Sequence, residues 1–63
     1  MTRKDYYLVA EAIGKCASLG QETLYYVADM VVTDLIADNP AVKRDLFLQT
    51  AGVTQETIDN AKI

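Results

Sequence analysis

Cys16 is the single thiol of the chain, and the sequence contains no histidine. A cysteine nucleophile needs a neighbouring base or cation to hold it as thiolate. With the commonest base absent, Cys16 reads instead as a small residue packed on a helix stripe. The carboxylates Glu22, Asp29, Asp34 and Asp38 are the other candidates for proton chemistry. At helical spacing they point into different sectors, and the stretch from residue 16 to residue 42 has no Lys or Arg to tune them. That stretch reads as an acidic surface, able to meet water or a basic partner. No phosphate-cradling loop or metal-ligand spacing is present, so the sequence predicts no catalytic residue, no cofactor and no metal.

Binding is the remaining chemistry. Tyrosines occur in two adjacent pairs, Tyr6-Tyr7 and Tyr25-Tyr26. Neighbouring helical residues point about 100° apart, so one member of each pair must leave the core. Tyr6 and Tyr25 are predicted inside, Tyr7 and Tyr26 outside, where exposed tyrosines make good interface anchors. Tyr7 and Tyr26, with the acidic Glu22 and Asp29, are therefore the candidate partner-binding residues. A second candidate is the run from Gly52 to Ile58, which follows the turn and second helix of a DNA-binding helix-turn-helix. There Gln55 and Asn60 would be the base readers. Against it, the bulky Leu48 stands where that motif carries a small residue, and the would-be reading helix carries Glu56 and Asp59 with only Lys62 as a cation. Phosphate attraction supplies most DNA affinity, so an acidic reading helix is disfavoured.

The elements that must position these residues are helical. Thr2 can cap a first helix over about 3–17, with Tyr6, Val9, Ala10, Ile13, Cys16 and Ala17 on one stripe. Gly14 within it costs up to about 1 kcal/mol against Ala, which predicts a close approach by another helix. Ser18 and Gln21 have the spacing of a capping box for a second helix over about 20–37. Its main stripe is Leu24, Val27, Ala28, Val31 and Leu35, and Tyr25, Val32 and Ile36 form a second stripe about 100° away. One small core cannot easily cover both, so helix 2 is predicted to be central or to lie in a homodimer interface, with Tyr25, Val32 and Ile36 as the interface residues.

Asp38 or Asn39 then caps a third helix over about 40–51, with Pro40 at its first position, where a missing N–H costs nothing. Val42, Leu46, Phe47 and Thr50 form the inner side, and Lys43, Arg44 and Asp45 face outward. Gly52 and Val53 should close this helix with a left-handed residue and a hydrophobic contact. Thr54 caps a short last helix over about 55–61 that carries Ile58 and Ala61.

Sixty-three residues make one domain near the lower limit for folding alone. A lone cysteine cannot form an internal disulfide, so association is the available source of extra stability. The formal charge of −3 argues against nonspecific nucleic-acid binding. Asp29 and Asp34 interrupt the longest apolar region, Leu24 to Ala37, which falls short of the ~20 residues a bilayer span needs. The opening Met-Thr-Arg-Lys-Asp-Tyr has no apolar run of a secretory signal. A cytoplasmic protein without membrane contact is expected.

The opening Met1-Thr2-Arg3-Lys4-Asp5-Tyr6, and the segment from Ala37-Asp38-Asn39-Pro40 through Phe47-Leu48 to Ala51-Gly52-Val53, resemble a group of short uncharacterised proteins of bacteriophages and prophages. Those proteins open MTRKDY and close on a DNP…FL…A-GV pattern. The chain departs from the pattern at Val42, Lys43 and Leu46. The resemblance implies a helical fold and a viral or mobile-element setting in the cytoplasm of a bacterial host, with no activity attached. The combined expectation is a single all-α domain over 1–63, a small bundle of three main helices plus a short C-terminal one. Its expected role is non-catalytic, binding a host or viral protein as a homodimer, with nucleic-acid regulation as the alternative.

Overall fold

The computed structural model describes residues 3–61, the side chains of Arg3 and Ala17 excepted. These residues form α1 (Arg3–Gly14), a 3₁₀ turn (Ala17–Leu19), α2 (Gln21–Asp38), α3 (Arg44–Thr50) and α4 (Gln55–Ala61). The fold is all-helical, and α3 is as short as α4, seven residues each. The expected cap Thr2 lies outside the described residues. The α-carbon frame measures 28 × 26 × 15 Å. With helix axes ~8–10 Å apart when packed, that short dimension admits two layers of helix and not three.

The central helix is α2, which touches α1, the 3₁₀ turn, α3 and α4. Its buried line is Leu24, Ala28 and Val32, one residue per turn. Val27, expected on the main stripe, is exposed, and Val31 and Leu35 pack only at the border of the core. The core therefore bisects the two predicted stripes. Phe47, Leu48, Ala51, Val53 and Ile58 close over this line from α3, the turn and α4, and Ala10 closes it from α1.

The first helix ends three residues earlier than its stripe suggests. After Gly14 the chain tightens, with the Lys15 N–H donating to the Ala12 carbonyl and the Cys16 N–H to that of Ile13. Cys16 is thereby carried off the stripe and is exposed; the side chain of Ala17 lies outside those described. The cause sits at Gly14, where an added Cβ would stand 3.1 Å from the Ala51 carbonyl oxygen. The close approach predicted for Gly14 is thus to the end of α3. Gly14→Ala should lower stability by about 1 kcal/mol in urea unfolding, overpacking against backbone outweighing the better helix propensity. Equal or greater stability of the variant would refute that contact.

The chain also leaves α2 differently. Asp38 is the last residue of α2, and Asn39 does not start a helix. Its N–H caps α2 through the Leu35 carbonyl at 2.8 Å, and its Oδ1 accepts from the Ala41 N–H at 3.1 Å. The Val42 N–H then donates to the Asn39 carbonyl at 3.1 Å, completing a β-turn. Asn at the first turn position and Pro at the second suit such a turn as well as they suit a helix start. Helix α3 begins only at Arg44, with Lys43 as an N-cap that makes no side-chain bond. The inner residues of α3 are Phe47 and Leu48, whereas Leu46 is exposed.

At its far end α3 closes as expected. The Gly52 N–H donates to Gln49, the Val53 N–H to Leu48, and Gly52 has φ 94°, together a Schellman motif with Val53 buried behind it. Thr54 then caps α4 through the Thr57 N–H at 3.3 Å. Ile58 is buried and Ala61 exposed.

Candidate interaction surface

Each tyrosine pair splits across the surface. Tyr6 is buried at 5% exposure, and its hydroxyl accepts from the Asn39 side-chain amide at 3.1 Å. Tyr7 is half-buried beside it. Tyr25 is half-buried against the core, while Tyr26 stands 66% exposed. One turn beyond Tyr26, Met30 is 56% exposed. Tyr26 and Met30 share the outward side of α2, with Val27 at its edge. Two helical layers cannot cover both sides of α2, and among the described residues no helix lies over this apolar face.

The predicted dimer residues are placed elsewhere. Val32 has zero exposure inside the single chain, so its side chain is already committed to the core. Tyr25 and Ile36 pack at the core border. An interface through these three would have to displace intrachain packing.

The acidic residues are dispersed. Asp29 is not a free surface acid: it forms an ion pair with Arg44, whose guanidinium also donates to the Thr33 hydroxyl at 3.0 Å. Arg44, expected to face outward, thus binds the start of α3 to the flank of α2. Both partners are more than a third exposed, so solvent screens the pair and its net contribution is small. Glu22 remains exposed on the same flank as Asp29 and Thr33. Among the described residues no group of three or more His, Cys, Asp and Glu is placed to hold a metal.

Two clefts flank α2. One, of about 240 Å³, lies between the start of α1 and the α2–α3 turn and is lined by Tyr6, Tyr7, Asn39, Ala41, Val42, Lys43 and Phe47. The other, wide and shallow at about 490 Å³, lies between α2 and α4 and brings together Glu22, Tyr25 and Asn60, with Gln21, Thr57 and Ala61. Three residues predicted for three separate roles thus share one depression.

The candidate reading helix α4 holds Gln55 between two side chains: it accepts from the Gln49 amide at 2.6 Å and donates to Asp59 at 2.9 Å. A base contact by Gln55 would have to break this chain. Leu48 is fully buried four residues before Gly52. Lys62, the cation of that reading, lies outside the described residues.

The residue that sequence reasoning missed is Gln21. Instead of pairing with Ser18, its Nε2 donates to the Gly52 carbonyl at 3.0 Å, and its Oε1 accepts from the Thr54 N–H at 2.8 Å and the Thr57 hydroxyl at 3.2 Å. One side chain on α2 thereby fixes the turn that leads into α4. No local pattern signals this, because the partners lie 31 to 36 residues away.

No helix of the described residues is long and apolar enough to cross a membrane. Comparison of the chain with protein-family models, with curated proteins and with solved structures gives no match.

Proposed function

We propose that this chain is a non-catalytic protein–protein interaction module of phage type, built as a small helical bundle, whose contact surface is the outer face of α2. The observation that carries the reading is the pairing of Tyr26 and Met30, one turn apart and more than half exposed, on a helix whose opposite side is fully packed. Tyrosine and methionine are the residues that interfaces favour, the first as a rigid amphipathic anchor and the second as an adaptable apolar contact. The acidic flank at Glu22 and the tied Gln55 favour a protein of viral or host origin over a nucleic acid.

The test is capture from a nuclease-treated lysate of the bacterial host, with and without phage infection, using tagged wild-type chain and a Tyr26→Ser/Met30→Ser variant. Both side chains lie outside the core, so the variant should keep its far-UV circular dichroism while losing specific capture. Identical capture by the two chains would reject the face.

A further inference from the structure

The outer face of α2 extends beyond Tyr26 and Met30. Thr23, Tyr26, Met30, Thr33 and Ala37 recur at alternating spacings of three and four residues, and every one is exposed. Leu19, in the 3₁₀ turn just before α2, continues the row by a further four residues and is 60% exposed. This is the seam pattern by which one helix packs lengthwise on another. No described helix occupies it.

We propose that the occupant is a second copy of the chain, packed through α2 in antiparallel fashion about a two-fold axis at the level of Ala28. The proposal rests on the interaction-face reading above: the second copy holds the same face, and another protein would have to compete with it there. In this register Tyr26 faces the partner's Met30, Thr23 faces the partner's Thr33, and Leu19 faces the partner's Ala37. Tyr26 and Met30 meet twice across the axis, an aromatic–thioether contact each time. At the ends a large residue meets a small one, which evens the separation of the helices; a parallel pairing would set Ala37 against Ala37 and leave a gap. Antiparallel helices also oppose their macrodipoles favourably.

Charge fits the same symmetry. Glu22, Asp29 and Thr33 share one edge of the face, and Arg44 reaches that edge from α3. The two-fold keeps each edge on its own side and reverses its direction. The partner's Glu22 therefore comes alongside Thr33 and the Arg44 guanidinium. Asp34, on the other edge, comes alongside the partner's Thr23, so no two uncompensated carboxylates face each other. Helix α2 has 18 residues, a face about 27 Å long at 1.5 Å per residue. One such helix pair lies at the low end of stable interfaces, below about 800 Å² per partner, so the dissociation constant should be on the order of micromolar.

Sedimentation velocity on the full chain, from low micromolar to millimolar concentration, should show a mass rising from 7.0 kDa towards twice that value. Tyr26→Lys should weaken the association by about tenfold or more with unchanged helicity. Register is tested in a Cys16→Ser background by mixing Tyr26→Cys and Met30→Cys chains under mild oxidation: the mixed disulfide should dominate. A mass that stays monomeric throughout, or disulfides mainly between like positions, overturns the proposal. A monomer whose capture of another protein is still lost in the Tyr26→Ser/Met30→Ser variant leaves the interaction-face reading standing, whereas indifferent capture by a monomer overturns both.

Discussion

Phe47→Ala is expected to remove about 3 kcal/mol of stability and to weaken the cooperative unfolding transition. Phe47 is the largest fully buried side chain among the described residues. Truncating a buried Phe costs about 3–5 kcal/mol through lost transfer energy and the void left behind. The lower end applies because Phe47 also lines the cleft beside Tyr6 and Val42, so part of the void opens to that cleft instead of remaining empty and closed. Total stability for a chain of this size is about 3–9 kcal/mol, at ~0.05–0.15 kcal/mol per residue. One side chain therefore holds a third or more of the whole margin.

The effect should extend beyond α3. A helix of seven residues has no stability of its own in water, so α3 persists only while Phe47 and Leu48 are seated. Its two ends carry other contacts: Arg44 on Asp29 at the start, and the Ala51 carbonyl against Gly14 at the finish. Unseating α3 releases both. Urea titration followed by far-UV circular dichroism should show a broadened transition with its midpoint lowered by a third or more. A sharp transition displaced by less than about 1 kcal/mol would mean that α3 is not the keystone described here.

How much of this arrangement was legible in the residues depends on the range over which each feature is decided. The Schellman end at Gly52-Val53, the Thr54 cap and the extent of α4 are decided within a few residues, and the local signals predict them. The tyrosine pairs follow from helical geometry, which places Tyr6 in and Tyr26 out. Periodicity constrains spacing, but it does not say which of two stripes an oncoming element will cover. Hence Val32 is core and Val27 is not, and Leu48 is core while Leu46 is exposed. That choice is made by α3 and α4 arriving on α2.

Asn39-Pro40 failed for another reason: the same residue types suit a helix start and a β-turn, and the tertiary bond from Asn39 to the Tyr6 hydroxyl accompanies the second. Cys16 failed because Gly14, tolerated inside a helix, here marks its end against Ala51. The interaction face shifted with these errors. Once Val32 is core, the residues left over on α2 are Tyr26 and Met30 rather than Tyr25 and Ile36.

Gln21→Ala should detach α4 while leaving the rest of the fold in place. The Gln21 side chain makes three hydrogen bonds to the segment from Gly52 to Thr57. Partly exposed neutral bonds contribute about 0.5–1.5 kcal/mol each, and the three are not independent, which places the loss at about 2 kcal/mol. Little else holds α4. It has seven residues, one fully buried side chain, Ile58, and a cap supplied by Thr54. The Thr54 N–H, satisfied by Gln21, would be left to water. Amide exchange should therefore accelerate over residues 58–61 by a factor of about 10–30, the equivalent of 1.4–2 kcal/mol, through local opening. Amides of α2 around Ala28 and Val32 exchange only when the chain unfolds globally, which breaks the same three bonds, so they should accelerate by no more than those of α4. A larger acceleration in α2 than in α4 would show that Gln21 supports the core rather than one helix. Protection unchanged in α4 would show that Ile58 and Thr54 suffice to seat it, and the clasp between α2 and the α3–α4 turn would then have no energetic role.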